Sequence, residues 1–280
     1  MALDTIITNN SANGNNPYDA DLYGNSGTTT PPSDATAASN NTLTLGNGSA
    51  GPSFTGNNRH IYGGYTSSYP GNANNNTLTV KGGTSFDDNS GFYGGRASTA
   101  SGYASDNTVT VEPGVTYPMG GAFYIHGGMS NGMASGNQVS VMSGDNGNFV
   151  EVSGGYSNGA ATRNSVTIEG GRGFSNVYGG YSVSGDAGGS GAGDGNTVNI
   201  TGGNAGIQSI YGGFSNSGGA ALGNTVTFDV YSGTVSSSVY GGYSASGDAG
   251  GSGTGQGNTV NITGGTALFS GGHIYGGLSN

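Results

Sequence analysis

The sequence has no cysteine, no tryptophan and only five basic residues among 280. Without cysteine the chain forms no disulfide and offers no thiolate to a metal, which fits an exported protein at least as well as a cytosolic one. The formal net charge of −10 leaves no basic patch to neutralise phosphates. We therefore expect no nucleic acid partner and no electrostatic docking on an anionic membrane.

Long apolar runs and helical periodicity are also missing. No stretch approaches the length that spans a bilayer, so we expect no membrane insertion by this segment. Residues 1–4 lack the basic and apolar pattern of a signal peptide, so we expect no export signal within this segment. The hydrophobic fraction of 32% is low for a layered globule.

Glycine is abundant instead, at 62 residues. It does not recur at every third position, which excludes collagen. Disorder is the other reading of a chain rich in glycine, serine and asparagine. It is disfavoured because the apolar and β-branched residues cluster at a period of two, which is typical of strands.

Two short motifs alternate along the chain, and the block at 177–203 returns almost unchanged at 239–265. The first motif has the form Asn-Thr-Val-Thr-Val. Its eight copies are Asn41–Leu45, Asn76–Val80, Asn107–Val111, Asn137–Val141, Asn164–Ile168, Asn196–Ile200, Asn224–Phe228 and Asn258–Ile262.

The second motif is an apolar residue followed by Tyr-Gly-Gly. It begins at Ile61, Phe92, Val177, Ile210, Val239 and Ile274, with looser versions at Ile125 and Val152, where His126 and Ser153 replace the tyrosine. The copies recur about every 30 residues, which is a solenoid period. The repeat therefore predicts stacked structural units.

Alternation within the first motif predicts a strand with one buried face, for example with Val198 and Ile200 inward and Thr197 and Asn199 outward. We expect the second motif to form a short strand that ends at its glycine pair, where a missing Cβ permits a bend, a positive φ or close backbone approach. Units without helices bury their apolar face only by stacking.

The predicted fold is an all-β, single-chain β-solenoid of about eight coils of roughly 30 residues. Residues 1–39 form an irregular N-terminal cap or degenerate first coil, and residues 40–280 form the repeat domain. The chain stops within a repeat, so we expect the solenoid to be open at its C-terminus and the full protein to continue.

Three sets of repeated side chains are candidates for structure or binding. The leading asparagines are expected to form a structural ladder of hydrogen-bonded amides that also tolerate the left-handed conformation. They are Asn41, Asn76, Asn107, Asn137, Asn164, Asn196, Asn224 and Asn258.

The other two sets are possible binding faces. Outward threonines form a hydroxyl array suited to ordering water or ice, or are simply favourable on a solvated strand. Aromatic residues around the glycine pair are expected to stack, with one set facing out toward sugar rings or a partner surface. The candidates are Tyr62, Tyr93, Tyr178, Tyr211, Tyr240, Tyr275, Thr77, Thr79, Thr108, Thr110, Thr225 and Thr227.

Catalytic constellations are poor, and no cofactor, metal ligand set or catalytic residue is assigned. Asp186 and Asp248 lie two coils apart, a spacing of roughly 10 Å that is loosely compatible with an inverting glycosidase pair. His60, His126 and His273 occupy related places beside the second motif, and isolated stacked histidines are usually structural.

Repeats of the form GNTVNITGG followed by a spacer and VYGGYS resemble the passenger regions of autotransporter-type surface proteins of Gram-negative bacteria. The resemblance covers residues 40–280. It implies a right-handed parallel β-helix that is exported and displayed outside the cell as an adhesin or surface fibre.

We therefore expect a non-enzymatic, extracellular, rod-like adhesin or structural module. Its partners would be host or bacterial surface glycans or proteins, or further copies bound end to end. The alternatives are a self-assembling filament subunit, a carbohydrate lyase or depolymerase on a β-helix, and an ice-binding solenoid.

Overall fold

The computed structural model describes residues 3–13, 16–31, 38–56, 58–67, 71–87, 89–118, 121–142, 148–170, 173–189, 193–202, 206–229, 234–250, 253, 256–264, 268–270 and 272–280. Within them the chain is all-β, and its parallel sheets stack as a right-handed β-solenoid of about seven turns. The predicted fold class is confirmed. No helix in these ranges is long and apolar enough to cross a membrane.

The first motif builds one nine-stranded parallel sheet. Its strands in spatial order are β1 (Asp4–Ile7), β3 (Thr42–Leu45), β6 (Thr77–Val80), β10 (Thr108–Val111), β13 (Gln138–Val141), β16 (Ser165–Ile168), β18 (Thr197–Ile200), β20 (Thr225–Asp229) and β23 (Thr259–Gly264). Val198 and Ile200 are fully buried while Thr197 and Asn199 are half-exposed, as the alternation predicts.

The second motif supplies most strands of the facing eleven-stranded sheet. Its strands are β2 (Leu22–Tyr23), β5 (Arg59–Thr66), β8 (Ser90–Ala97), β11 (Ala122–Ser130), β14 (Asn148–Ser157), β17 (Phe174–Ser182), β19 (Gly206–Ser215), β21 (Thr234–Val235), β22 (Val239–Ser244), β24 (Leu268–Phe269) and β25 (Ile274–Ser279).

The prediction that these strands end at the glycine pair is wrong. Strand β5 runs through Gly63 and Gly64 to Thr66, and the equivalent strands do the same. Neither glycine has a positive φ, so the chain stays extended and the glycines serve close packing.

Short elements complete the coils. They are the 3-10 turn Asn10–Asn13, the pair β4 (Ser53–Phe54) and β7 (Ser85–Phe86), and the three-stranded sheet of β9 (Tyr103–Ser105), β12 (Met133–Ser135) and β15 (Ala161–Thr162).

The core lies between the two large sheets and runs the length of the solenoid. Inward residues of both sheets form one continuous cluster, and the phenylalanines within it stack from coil to coil. The ring centroids of Phe54 and Phe86 are 5.0 Å apart, and those of Phe149 and Phe174 are 5.1 Å apart. Each coil therefore buries its apolar face mainly against its neighbours.

The two ends of the solenoid differ. At the N-terminus, β1 pairs with β3 and β2 pairs with β5, so residues before 40 supply strands to both sheets. At the C-terminus, Ile262 and Ile274 are 47% and 45% exposed, whereas their equivalents in inner coils are buried.

Candidate functional site

The repeated asparagines form one ladder beside the core. In Asn137, the Oδ1 accepts hydrogen bonds from Asn107 N (3.0 Å) and Nδ2 (2.8 Å), and the Nδ2 donates to Asn164 Oδ1 (2.9 Å) and Ala104 O (2.8 Å). The same bonds recur from Asn41 to Asn258, and the first seven asparagines are buried. The inner side chains use both donors and the acceptor, so the ladder needs no ligand.

The left-handed conformation belongs to the residue before the ladder, not to the ladder asparagine as expected. Asn40, Asn75, Asp106 and Arg163 have φ between 55° and 62°. Each begins the strand of the first sheet with a turn, and asparagine and aspartate adopt this conformation more readily than other non-glycine residues.

Sequence reasoning missed two further rows of repeated residues whose hydrogen bonds also join neighbouring coils. One is a buried alanine whose carbonyl accepts from the ladder amide, as Ala73 O does from Asn107 Nδ2. The other is a buried serine at the end of strands β11, β14, β17, β19 and β22, as where Ser182 Oγ donates to Gly159 O (2.6 Å). The signal was an alanine three residues before the ladder asparagine in six of eight coils.

The glycine pair packs directly on the asparagine ladder. A Cβ on Gly128 would lie 2.5 Å from Asn137 Cγ, and a Cβ on Gly127 would lie 3.0 Å from Asn137 Cβ. Both glycines therefore face inward, although consecutive residues of a regular strand face opposite sides. The flanking residues are then both turned outward, and the rings of Tyr62 and Tyr65 lie 5.0 Å apart.

Two columns of side chains consequently share the outer face of the second sheet. The first column precedes the glycine pair and consists of Tyr23, Tyr62, Tyr93, His126, Ser153, Tyr178, Tyr211, Tyr240 and Tyr275. The second column follows it and consists of Tyr65, Arg96, Met129, Tyr156, Tyr181, Phe214, Tyr243 and Leu278.

Rings within each column stack at the coil spacing. Tyr211 and Tyr240 have centroids 4.8 Å apart at an interplanar angle of 4°, and Tyr156 and Tyr181 are 4.7 Å apart at 3°. Rings of different columns meet edge to face, as in Tyr178 and Tyr181 at 5.1 Å and 85°. Offset stacking and edge contacts are the favourable geometries of aromatic pairs.

The expectation that one aromatic set faces out is too narrow, because both columns lie on the outer face. The first column is the more covered of the two. Tyr62, Tyr93 and Tyr178 are only 2%, 6% and 8% exposed. Tyr211, Tyr240 and Tyr275 are half-buried, as are Tyr156 and Tyr181 in the second column. The accessible aromatic surface is therefore the second column and the C-terminal half of the first.

Arg96 places a positive charge of the chain itself on this face. The guanidinium carbon of Arg96 lies 5.8 Å from the ring centroid of Tyr62 and 5.5 Å from that of Tyr93. Arg96 Nη1 also donates to Tyr62 Oη at 3.0 Å. The stacked rings thus offer a surface that stabilises positive charge.

The first column is interrupted in two successive coils by His126 and Ser153. The His126 ring continues the stack on Tyr93, at 5.2 Å and 16°. Ser153 has no ring, so the stack stops there and resumes at Tyr178. Glu151, two residues before Ser153 on the same strand, lies beside the interruption with its Oε1 3.8 Å from His126 Nδ1.

Burial controls the charge of the His126 imidazole and the Glu151 carboxyl group. It lowers the pKa of His126 to about 3, helped by the positive charge of Arg96, and it raises the pKa of Glu151 to about 7. At neutral pH the imidazole is therefore neutral. The contact between His126 and Glu151 is then not an ion pair, and 3.8 Å is too long for a hydrogen bond.

The threonine candidates line the outer face of the first sheet in register. Thr77 and Thr79 lie beside Thr108 and Thr110, and all four are half-buried. The next coil places Gln138 and Ser140 opposite Thr108 and Thr110. Thr225 and Thr227 face Thr197 and Asn199. The backbone positions of this array are therefore in regular register, but the side chains at those positions include serine, glutamine and asparagine as well as threonine.

The paired aspartates are exposed and hold turn backbone. Asp186 Oδ1 accepts from Ala220 N at 2.8 Å, and Asp248 Oδ1 accepts from Gly250 N at 2.9 Å. Across the described ranges no cluster of three or more histidine and acidic side chains is arranged to bind a metal.

Comparison with protein-family models, with curated proteins and with solved structures gave no match to this chain.

Proposed function

We propose that the chain is a non-enzymatic, rod-like adhesive module of an extracellular surface protein. The observation that carries this proposal is the double aromatic column on the outer face of the second sheet. Its tyrosines stack from Tyr23 to Tyr93 and, after the interruption at Ser153, from Tyr178 to Tyr275. Aromatic faces and phenol hydroxyls together suit sugar rings and protein surfaces.

The repeat chemistry supports a structural role for the same rod. The asparagine, alanine and serine ladders bond one coil to the next, and the core is continuous along the axis. Nine stacked strands at the usual spacing of roughly 4.8 Å give a rod on the order of 40 Å long. The resemblance of GNTVNITGG and VYGGYS to autotransporter passengers supports display at a bacterial surface.

A glycan and surface-protein array tests this function. We expect saturable binding of an immobilised ligand, with the ligand recovered at its original length. Replacing Tyr181 and Tyr243 by serine removes two accessible rings and should weaken that binding. The release of shortened products would instead support the alternative of a carbohydrate lyase or depolymerase.

End-to-end association is a second candidate, favoured by the exposed last coil. Ile262 and Ile274 present apolar edge surface, and β23 and β25 have unpaired edges among the described strands. Such an edge pairs readily with another strand. Negative-stain microscopy at rising concentration should show linear polymers, and Ile274→Lys should shorten them. A monodisperse monomer at high concentration would contradict this candidate.

A further inference from the structure

The interruption of the first column at Ser153 gathers three polar atoms without partners. His126 Nδ1, Glu151 Oε1 and Ser153 Oγ are each buried and make no hydrogen bond. The whole Ser153 side chain is inaccessible to solvent, and His126 is 4% exposed. A buried polar atom left unpaired is costly because it has given up its hydrogen bonds to water, so three in one place indicate a site built for a ligand.

The walls of the site are aromatic. In the register of the sheet, Ser153 lies between His126 and Tyr178. Tyr156, three residues further along the strand, meets the His126 ring edge to face at 5.6 Å. Burial raises the phenol pKa of Tyr93, Tyr156, Tyr178 and Tyr181, and the nearby Glu151 carboxylate raises each of them further.

The carboxylate of the site has no lysine or arginine partner among the described residues. Arg172 lies outside those residues. Two coils earlier the same face holds Arg96 against two tyrosine rings. The aromatic columns therefore accept a cation where the chain supplies one, and the Ser153 interruption has the carboxylate without it.

The three unpartnered atoms fit the donors of one chemical group. A carboxylate oxygen, a serine hydroxyl and a neutral imidazole nitrogen all accept hydrogen bonds, and a primary ammonium has three donors. Ser153 and His126 are almost completely covered and the Glu151 side chain is 22% exposed, so a slender alkyl chain suits the site better than a sugar ring. The net charge of −10 favours the approach of cations.

We propose that Glu151, Ser153 and His126 form a binding site for a primary alkylammonium group, as carried by a lysine side chain or a free amine. The ammonium donates to the three acceptors while the rings of Tyr156 and Tyr178 surround it. This proposal refines the adhesive function and rests on it, since it names the chemistry of the partner.

Isothermal titration at pH 8 with n-butylammonium chloride tests the site, with n-butanol as the neutral analogue. We expect saturable binding of butylammonium and at least tenfold weaker binding of butanol. A blocked tripeptide with central lysine, against one with central norleucine, distinguishes a protein source from a free amine. Binding of the lysine peptide supports a protein partner, and binding of butylammonium alone supports a small amine.

Two variants and a matched control localise the binding. Glu151→Gln removes the carboxylate at constant shape, and Ser153→Tyr restores the ring that most coils carry; each should weaken butylammonium binding at least tenfold. Glu169→Gln removes an exposed acid and should leave the affinity unchanged. Circular dichroism and thermal melts confirm that each variant is folded. Unchanged affinity in folded Glu151→Gln, or equal affinity for butanol, would overturn the proposal.

The pH dependence gives an independent readout. Binding requires ionised Glu151, whose pKa is raised to about 7, so affinity should fall from pH 8 to pH 6 by about tenfold per unit below 7. His126 stays neutral over this range because its pKa is about 3. The groups facing the carboxylate are Tyr93, Tyr124, His126, Tyr156, Tyr178 and Tyr181, with Arg96 as the cation of the same face.

The two experiments distinguish failure of the ammonium site from failure of the adhesive function. Array binding by a wild-type protein that does not bind butylammonium would keep the adhesive function and reject the ammonium site. Butylammonium binding without any macromolecular ligand on the array would keep the site and reject the adhesive role.

Discussion

At the scale of single residues, the ladder asparagines supply the directional bonds that hold neighbouring coils in register. Each inner Oδ1 serves two donors of the preceding coil, and each Nδ2 serves two acceptors. Removing one side chain therefore leaves several buried groups unpaired. The cost of such unpaired groups exceeds the net gain of the hydrogen bonds themselves.

Asn137→Ala should lower the free energy of unfolding by about 2–4 kcal/mol, because Asn107 Nδ2, Ala104 O and Asn164 Oδ1 all lose a partner. Urea denaturation followed by circular dichroism measures the change. The control is Gln138→Ala at the adjacent exposed position, which should shift stability by less than about 0.5 kcal/mol. Equal stabilities of the two variants would contradict the role of the ladder.

The buried carboxyl of Glu151 should make stability fall as pH rises. Its pKa is raised from 4.5 to about 7, so the folded state favours the protonated form. The stabilisation is complete below pH 4.5 and is lost as pH rises through 7. Glu151→Gln should therefore melt at a higher temperature than wild type at pH 8.

The two melting temperatures should converge below pH 4.5, where Glu151 is protonated in both folded and unfolded chains. The lowered pKa of His126, about 3, also reduces stability at acid pH. This effect is the same in wild type and variant, so it cancels in the comparison. A difference between them that does not change from pH 4 to pH 8 would contradict this assignment of the charge.

Residue by residue, recurrence made the ladder predictable and left the candidate site invisible. Asn137 has seven equivalents with the same neighbours, so its role follows from the pattern. Glu151 and Ser153 have none, and their significance comes from burial and from the ring that is missing. The sequence showed only that the second motif is looser at these coils.

At the scale of elements, the glycine pair determines the shape of the outer face. Two consecutive inward glycines interrupt the in-and-out alternation, which turns both flanking aromatics outward. The sequence pattern predicted that glycine is required at these two positions, but it did not show which property of glycine is needed. A bend, a positive φ and close approach share the same sequence signal, and only the position of the asparagine ladder selects close approach.

Gly128→Ala should destabilise the protein by more than about 2 kcal/mol, since its Cβ would lie 2.5 Å from the Asn137 carboxamide. Gly206→Ala is the matched control because no atom lies within 4 Å of its added Cβ. That control should be neutral or slightly stabilising. Thermal melts of the two variants measure the contrast, and similar melting temperatures would contradict the close packing of glycine on the ladder.

At the scale of the whole molecule, the solenoid is a nearly one-dimensional stack. Each described strand of the two large sheets pairs with the coil before it or the coil after it. Its stability is therefore close to a sum of coil and interface contributions. The period and the alternation sufficed to predict this architecture, because a unit with one apolar face and no helix has to stack. The number of strands in each coil depends on bends in the connecting loops, which glycine and serine composition does not determine.

Removing residues 165–196 tests this view, because it excises one coil and joins Asn164 directly to Thr197. The register of the first sheet already pairs Ser165 with Thr197, so the shortened chain keeps every column in line. We expect a folded solenoid with a cooperative urea transition and an m-value lower by roughly one-eighth.

The matched control removes residues 165–197, one residue more. It places Val198 and Ile200 at outward positions and Asn199 at an inward one, because side chains alternate with a period of two. This variant should lose at least about 2 kcal/mol relative to the in-register deletion, through exposed core residues and a broken asparagine ladder. Comparable urea midpoints would show that the stack tolerates a slip between coils, which the fully bonded ladder and the close contact of glycine with asparagine argue against.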